Sequence, residues 1–424
     1  MGRSLCSRGI GRAAAAGLVV AIMLCSARLA TAQIPERRKD QFPTTPGYLI
    51  VPLPYEFPGL GRGFFLLANI QNMFESNADL FAIRATGDVE GSVVLVDELY
   101  LIPQRLILNA SYQDIDKAII QVYQKRGMDT EKDEFNFVEL NGIRTWEAGL
   151  TLTIWERRFE LFALRSTGKF RVPRIRDSDG RIIVESDKPF EGENESTSIG
   201  ILLDLTDDRN DPRRGLRLRL TRDESKIVDP NDPEQFTLNY DMLLYLPLGK
   251  ISTWVFNFFR SDANVTREGN TDQTAIRAEL GFNCGGDPAC LRAEQEIVDL
   301  FVAQRKNGTA TGLGGLNRLR SYPDNRFNGA HTAFFGTEIR WNLTEEFTPF
   351  DYFVWKDTRT GVQLAFFAET GTVAESEGQL WDRSRNSYGA AIRVVTGSGS
   401  VYRFEVATGD EGTQPILWFF YAWQ

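Results

Sequence analysis

The sequence contains a single histidine, which limits the catalytic chemistry that it can support. Nucleophilic and general acid–base catalysis most often use histidine as the base. His331 lies where a loop returns to a strand-like segment, and a lone histidine in that setting is more often structural. The run Gly312-Leu313-Gly314-Gly315 lacks the Lys-Ser/Thr that completes a phosphate-binding loop. We therefore expect a protein that is not an enzyme and that needs no cofactor.

Two cysteines lie close together in the motif Cys-Gly-Gly-Asp-Pro-Ala-Cys, at Cys284 and Cys290. A metal site would need more ligands than this pair, so we expect no bound metal. In an oxidising compartment such a pair forms a disulfide that closes a small loop. The other two cysteines, Cys6 and Cys25, belong to the N-terminal segment described next.

The first 32 residues have the organisation of a secretory signal peptide. Three arginines precede the apolar stretch 13–24, and Ala30-Thr31-Ala32 forms a small-x-small cleavage site before Gln33. A membrane-anchoring helix is the alternative, but the apolar stretch is short for one. We predict an exported protein whose mature chain begins at Gln33.

Composition leaves two classes of β-protein open. The net charge of −9 argues against nucleic-acid binding, which requires clustered basic residues. After residue 32 no window contains the 18 to 20 apolar residues of a spanning helix. A mean hydropathy of −0.27 fits a soluble secreted β-protein, and it also fits a transmembrane barrel, whose strands hide one face in lipid.

Apolar and polar residues alternate along many segments, which is the pattern of β-strands. Within 146–154 one face carries Trp146, Ala148, Leu150, Leu152 and Ile154. Polar residues alternate with apolar ones in three further segments. Their apolar residues are Leu216, Leu218 and Leu220 in the first, Phe335, Ile339 and Trp341 in the second, and Tyr402, Phe404 and Val406 in the third. The number of such segments predicts an all-β protein.

The connections between these segments favour a transmembrane antiparallel barrel. Short turns, such as Pro247-Leu248-Gly249, alternate with long polar loops near 114–144, 170–194, 262–332 and 374–387. Short turns on one side and long loops on the other are typical of outer-membrane barrels. We count fifteen or sixteen strands and predict sixteen, with a last strand near 415–424. In the longest loop, helical spacing predicts two short helices at 272–280 and 290–305.

The barrel is predicted to span 61–424, preceded by a linker at 33–60 that contains six prolines. A first strand near 47–55 would make the count even, although Pro52 and Pro54 weaken it. The linker is too short to form a separate domain.

Three segments resemble the BamA/TamA-type outer-membrane assembly barrels, the bacterial surface antigen family. The first runs from Asp207 to Gly215 and resembles the family's Asp-x-Arg-Asn…Pro-x-x-Gly hairpin; its matching residues are Asp207, Arg209, Asn210, Pro212 and Gly215. The second, 313–329, resembles the tip of the family's long sixth loop: Arg320 and Tyr322 match, and Ser321 replaces a glycine. The third is the strand around Glu369, where the family usually has aspartate. The aromatic residues of 417–424 resemble the family's C-terminal strand.

The resemblance implies that the long sixth extracellular loop folds into the lumen and docks there through Arg320. Alternation places Glu369 and Glu338 on the inner wall, where a guanidinium group can bind one carboxylate bidentately and reach the other. A solvated Arg320 is the alternative. Larger family members carry periplasmic POTRA domains that capture client polypeptides, so this chain resembles a short branch that lacks them.

Two functions remain open from the sequence. The resemblance implies a barrel that moves or inserts polypeptide, or assists lipid assembly, in the bacterial outer membrane. The alternative is a passive or selective pore, or a structural membrane protein, that shares the fold. Expected partners are outer-membrane lipid and exported polypeptides, and no nucleic acid. The sequence does not determine the oligomeric state.

Overall fold

The computed structural model describes residues 46–57, 61–226, 230–249, 252–344, 349–352, 355–396 and 401–423. In this part of the chain, 17 antiparallel strands form one sheet in which successive strands pair, apart from the step between β12 and the short β13. The strands are β1 (Gly47–Phe57), β2 (Gly61–Gln71), β3 (Asp79–Gly87), β4 (Glu90–Ile102), β5 (Leu106–Tyr123), β6 (Phe135–Ile154), β7 (Phe159–Arg176), β8 (Ile182–Asp204), β9 (Gly215–Ser225), β10 (Glu234–Leu248), β11 (Ser252–Arg267), β12 (His331–Asn342), β13 (Pro349–Tyr352), β14 (Trp355–Ala374), β15 (Arg385–Thr396), β16 (Val401–Gly409) and β17 (Gly412–Phe419). The predicted signal peptide lies outside the described residues.

Sixteen of these strands make the barrel wall. The short β13 pairs with the beginning of β14, while β12 pairs directly with β14 along its whole length. The prediction of a sixteen-stranded transmembrane antiparallel barrel is therefore confirmed. None of the described helices combines the length and apolarity needed to cross a membrane.

The two faces of the wall differ in chemistry. On β14, Phe366 on the outer face is 55 % exposed, whereas its neighbours Ala365 and Phe367 face inward and are buried. Other exposed apolar side chains on the outer face are Trp146, Leu150, Ile199, Ile339, Ile392 and Phe404. The inner face of β12 and β14–β16 carries buried glutamates and arginines. The outer face is thus suited to lipid, as expected for an outer-membrane barrel.

Two of the predicted long loops are mostly strand. β5 extends to Tyr123 and β6 starts at Phe135, and β7 and β8 are separated by residues 177–181 alone. The prediction of loops at 114–144 and 170–194 was therefore wrong. Strands of 18 to 23 residues exceed the ~9–11 residues that cross a membrane. Their outer ends face water on the outside as well, so charged pairs such as Lys169–Glu193 replace the apolar alternation.

The first strand, β1, forms despite its two prolines. It pairs with β2 along its full length. Its remaining pairing in the described chain joins Tyr48 and Leu49 to the start of β14. Proline has no N–H to donate and is tolerated on an edge strand, which β1 is over most of its length. The barrel therefore begins before residue 61, inside the segment predicted as a linker.

The seam between the first and last strands is closed by apolar packing. Leu49 and Leu67, on the inner face of β1 and β2, form one buried cluster with Tyr402 of β16 and Val394 of β15. Tyr402 and Val394 alternate with the inward-facing Arg403 and Arg393, so they lie on the outer face of their strands. The inner face of the first strands thus covers the outer face of the last ones. This overlap explains why β1 and β2 carry apolar residues on both faces.

The connection between β11 and β12 begins with two helices, α1 (Gln273–Leu280) and α2 (Pro288–Asn307), close to the predicted positions. Asp272 and Asp287 cap them, each accepting a hydrogen bond from a backbone N–H of the first turn. The structure joins Cys284, in the connection between the helices, to Cys290 in the first turn of α2. The pair ties the connection between the helices to the first turn of α2.

The last strand ends earlier than the aromatic pattern predicted. β17 stops at Phe419, and the following residues, Phe420–Trp423, leave the sheet. Phe420 has a φ of 60°, a left-handed conformation that turns the chain away from the strand direction. We refer to Phe420–Trp423 as the terminal segment.

Candidate functional site: the loop tip in the lumen

After α2 the chain returns into the barrel and makes a tight tip. Leu313 and Phe327 pair across the base of the tip, and the Gly315 N–H donates to the Tyr322 carbonyl. Gly314 has a φ of 113°, and a Cβ there would lie 2.0 Å from the Pro323 carbonyl oxygen. Only glycine fits this position without displacing the backbone. The tip therefore holds residues 316–322 in a fixed backbone conformation.

Arg320, at the end of the tip, is fully buried against three carboxylates of the inner wall. Its Nε and its backbone N–H donate to the two oxygens of Glu369, at 2.8 and 2.9 Å. Its Nη1 donates to both oxygens of Glu405, at 3.0 and 2.9 Å, and its Nη2 lies 3.5 Å from Glu338. The guanidinium also stacks 3.4 Å from the centre of the Phe367 ring. The structure thus brings Arg320 together with Glu369 and Glu338, the carboxylates that the sequence indicated.

Glu405 is the partner that sequence reasoning missed, and it lies closer to Arg320 than Glu338 does. A signal for it was present. Glu405 alternates with the lipid-facing Phe404 and Val406, so it shares the inner face of the barrel with Glu369. The family pattern drew attention to the strand around Glu369, and nothing in that pattern points to residue 405.

Three further arginines complete the cluster, which we call the lumen cluster: Arg320, Arg340, Arg393, Arg403, Glu338, Glu369 and Glu405. Arg393 binds Glu338 at 2.6 Å and Glu405 at 2.8 Å. Arg340 binds Glu338 and Arg403 binds Glu405, each at 2.7 Å. All seven side chains are at most 3 % exposed, so four positive charges face three negative ones in a site without bulk water.

Glu369 depends on the loop in a way that the other two carboxylates do not. Glu338 and Glu405 each bind arginines of the wall, whereas the one cation bound to Glu369 in the described chain is Arg320. A buried carboxylate without a cation is strongly destabilised. Burial alone would lower the pKa of Arg320, but Glu369, Glu405 and Glu338 together raise it above its usual range. The loop therefore docks as a permanent cation.

Tyr322 and Ser321 fix the other side of the tip. The Tyr322 hydroxyl donates to the Asn386 carbonyl at 3.1 Å, and burial raises the pKa of this tyrosine to about 12. Ser321 donates its N–H to the Ser387 hydroxyl at 3.0 Å. Its φ is not left-handed, so this position does not require the glycine that the family has. The extra hydroxymethyl group fits because residue 409 is glycine: a Cβ there would lie 2.4 Å from Ser321 Oγ.

The hairpin between β8 and β9 carries the residues of the first motif. Asp207 accepts hydrogen bonds from the N–H groups of Arg213 and Arg214, both at 2.9 Å. Arg209 reaches inward and binds Glu160 at 2.9 Å. Gly215 has a φ of 122°, and a Cβ there would lie 2.4 Å from the Leu205 carbonyl.

The remaining motif residues keep this turn compact. The Asn210 N–H donates to Asp208 at 2.8 Å, and Pro212 is buried. The motif therefore builds a rigid turn, and it lies at the opposite end of the barrel from the loop helices.

One group of side chains has the composition of a metal site. Asp262, His331 and Glu377 place three ligand atoms within 4.8 Å of one another at the rim of the barrel. The Arg260 guanidinium already binds Asp262 at 2.6 Å and lies 3.7 Å from Glu377. A cation would have to displace this arginine, so we assign no metal to the group.

A protein-family model, the Omp85 superfamily domain, matches residues 121–416. This range is more than half of the 424 residues, and it contains the hairpin motif, Arg320 and all three of its carboxylates. The chain belongs to the Omp85 superfamily. This Omp85 barrel is a protein of the bacterial outer membrane, as the sequence predicted.

Solved structures with a similar fold include BamA from Haemophilus ducreyi lacking POTRA domains 1–3 and CdiB from Escherichia coli. The BamA structure is 11% identical, with a TM-score of 0.46, and the match covers 89% of this chain and 69% of that one. The CdiB structure is 11% identical, with a TM-score of 0.48 and coverages of 88% and 61%. This chain thus spans about three fifths of CdiB. No curated protein matches the sequence.

Proposed function

We propose that this Omp85 barrel takes part in inserting or moving polypeptide at the outer membrane, with lipid assembly as a related role, and that it performs no catalysis. The proposal builds on family membership and on one observation, the apolar core that loop residues and the terminal segment form in the lumen beside β10–β12 and β14. A passive pore needs an open, water-filled lumen. Here the loop tip and the terminal segment fill the lumen beside β10–β12 and β14 with a continuous apolar core.

The core combines residues of the loops and the terminal segment with residues of the wall. Met128, Leu313, Tyr322, Phe327 and Trp423 pack against inward-facing residues of the wall. We expect this core to restrict ion flow on its side of the lumen, and its parts outside the wall belong to two loops and one short segment, which are easier to displace than strands of the wall. A barrel whose lumen contains a displaceable core is better suited to an assembly role than to the role of a permanently open channel.

The seam offers a route for a client. Because Leu49 and Leu67 cover Tyr402 by side-chain packing, the first and last strands can separate there without breaking a continuous backbone ladder. A client strand entering at β1 would gain main-chain hydrogen bonds along the edge of β1 that has no ladder partner in the described chain beyond Tyr48 and Leu49, which is the general mode of strand addition. The client then moves from the lumen side to the lipid.

The proposal is tested with a disulfide that reversibly joins the overlapping first and last strands. In a Cys284→Ser/Cys290→Ser background, Leu49→Cys with Tyr402→Cys joins the overlapping strands. The matched control is Leu161→Cys with Ile201→Cys, which are directly opposed on the lipid face of β7 and β8. Each protein is reconstituted into liposomes, and the folding rate of an added urea-unfolded outer-membrane protein is followed by gel shift.

We expect the parent protein to accelerate folding of the added client, the oxidised seam pair to abolish the acceleration, and reductant to restore it. The control pair should leave the rate unchanged. Liposomes with the parent protein that fold the client no faster than empty liposomes would refute an insertion role. A large steady conductance of the parent in planar bilayers would instead support the passive pore.

A further inference from the structure

The terminal segment lies beyond the residues that the family model matches, and it enters the lumen. Its last backbone hydrogen bond to the wall runs from the Phe420 N–H to the Val401 carbonyl. Tyr421, Ala422 and Trp423 are 4 %, 8 % and 1 % exposed. Three residues that leave a strand are thus buried as deeply as the core, which requires a surface shaped to receive them.

Tyr421 occupies a cage of polar and cationic groups. Its hydroxyl donates to Asp211 of the β8–β9 hairpin at 2.6 Å, and Gln363 donates to the same hydroxyl at 3.3 Å. The guanidinium carbons of Arg340 and Arg393 lie 3.8 and 5.2 Å from the centre of its ring. Cation–π contacts of this kind are worth more when the groups are desolvated, as they are here.

Trp423 occupies a second, separate position. Its Nε1 donates to the Asn317 carbonyl in the loop tip at 2.8 Å, and its ring packs edge-on against Phe334, with centroids 6.0 Å apart. The Arg320 guanidinium lies 5.2 Å from the ring. The indole fits because residue 336 is glycine: a Cβ there would lie 2.4 Å from the indole carbons.

We propose that these two positions form a binding site for an aromatic Tyr-x-Trp peptide segment, occupied here by the chain's own Tyr421 and Trp423, and that occupation of the site joins the β8–β9 hairpin to the tip of the long loop. The segment contacts Asp211 at one end and Asn317 at the other. It therefore links the two features that carry the family motifs. The site goes beyond the proposed function because it governs closure of the lumen whatever substrate the barrel handles.

The segment can leave its site without disturbing the wall. Past Phe420 the described contacts of Tyr421 and Trp423 are made by side chains, so release breaks no strand ladder. Release would expose the cage of Arg340 and Arg393 and remove the ring that packs beside Arg320. A second aromatic peptide of the same pattern could then occupy the vacated positions.

The first arm of the test uses the full chain with Ala422→Cys in a Cys284→Ser/Cys290→Ser background, labelled by a maleimide. Gly336→Leu fills the space of the indole and should speed labelling about tenfold, the factor that losing an aromatic contact and a hydrogen bond implies. Trp423→Ala alone loses the same ring contact and hydrogen bond and should speed labelling to a similar extent, and combining it with Gly336→Leu should add little further. A heat-modifiable band on detergent gels verifies that each variant is folded.

The second arm adds the ligand in trans. Full-length Tyr421→Ala/Trp423→Ala should bind a fluorescent peptide Phe-Tyr-Ala-Trp-Gln saturably, and Asp211→Ala in that protein should weaken binding about tenfold. The peptide Phe-Phe-Ala-Ala-Gln is the control and should not bind. Equal fast labelling of residue 422 in the parent and in Gly336→Leu would overturn the proposal. The proposal would also be overturned if Asp211→Ala left peptide binding unchanged and the control peptide bound as tightly as Phe-Tyr-Ala-Trp-Gln.

Discussion

The guanidinium of Arg320 and the carboxylate of Glu405 lie 85 residues apart in the chain, and both oxygens of Glu405 accept from the same Nη1, at 3.0 and 2.9 Å. Glu369 meets the Nε edge of the same guanidinium and also its backbone N–H. The loop tip is therefore held at two edges of one planar group, which restricts its rotation as well as its position. A lysine could satisfy the charge but could not make both contacts.

Removal of the charge on Glu369 should release the loop. Glu369→Gln leaves Arg320 with weaker partners and should raise the population of the undocked loop about thirtyfold, corresponding to ~2 kcal/mol for hydrogen bonds to a charged group. The readout is the rate of trypsin cleavage at Arg318, together with larger single-channel currents in planar bilayers.

Glu338→Gln is the matched control, because Glu338 mainly binds Arg393 and Arg340 of the wall. It should lower the thermal stability of the barrel and leave cleavage at Arg318 within about threefold of the parent. If the two variants release the loop equally, then the lumen cluster acts as a single unit and Glu369 has no separate role.

A new charge at two adjacent residues of β8 should affect the stability of the barrel very differently. Ile199 is 58 % exposed on the lipid face, and Ser198 faces the lumen. Ile199→Arg should destabilise the folded barrel by ~1–4 kcal/mol, depending on depth, whereas Ser198→Arg should change it little. Urea titration of the protein in lipid vesicles measures both. Similar losses for the two variants would mean that the register of β8 is wrong.

The disulfide should matter little to the barrel. Cys284 and Cys290 enclose a short segment between α1 and α2, so the entropic stabilisation from closing that loop is at most ~3 kcal/mol and acts on the helices. Cys284→Ser/Cys290→Ser should keep the melting temperature of the barrel and increase protease sensitivity between residues 273 and 307. Mass spectrometry of the unreduced protein checks the bond itself, and two alkylatable thiols would contradict it.

The sequence was informative wherever one face of a strand meets lipid. Alternation identified the strands around Trp146, Leu218 and Phe404, and the inner face that carries Glu369 and Glu338. It failed where both faces of a strand meet the same environment. The outer ends of β5–β8 are wet on both sides, and they were interpreted as loops.

The sequence did not predict the inward turn of the terminal segment, because aromatic residues can face either lipid or the lumen. A run of aromatic residues predicts a lipid-facing strand, but Tyr421 and Trp423 turn inward at Phe420, and only the tertiary partners Asp211 and Gly336 reveal why. Glu405 was missed because the family pattern supplied no residue there. Long-range partners of this kind leave no local signal in a single sequence.

Arg326 should hold the β5–β6 loop, residues 124–134, against the tip of the long loop. This side chain, fully buried, binds both oxygens of Glu411 in the β16–β17 turn, at 2.9 and 2.7 Å, and donates to the Thr130 carbonyl in the β5–β6 loop at 2.7 Å. It thereby ties two loops to the loop tip, and Met128 packs into the lumen beside it.

Arg326→Ala removes a buried cation and leaves Glu411 without this partner, which should cost ~3–5 kcal/mol of local stability. We expect residues 124–134 to become accessible to protease at least tenfold faster while the barrel stays folded. Arg383→Ala is the control: Arg383 also binds the β5–β6 loop, through Asp129, but both side chains are well exposed, and such pairs contribute ~0–1 kcal/mol. If Arg383→Ala opens the β5–β6 loop as readily as Arg326→Ala, then surface contacts rather than the buried arginine hold this loop in place.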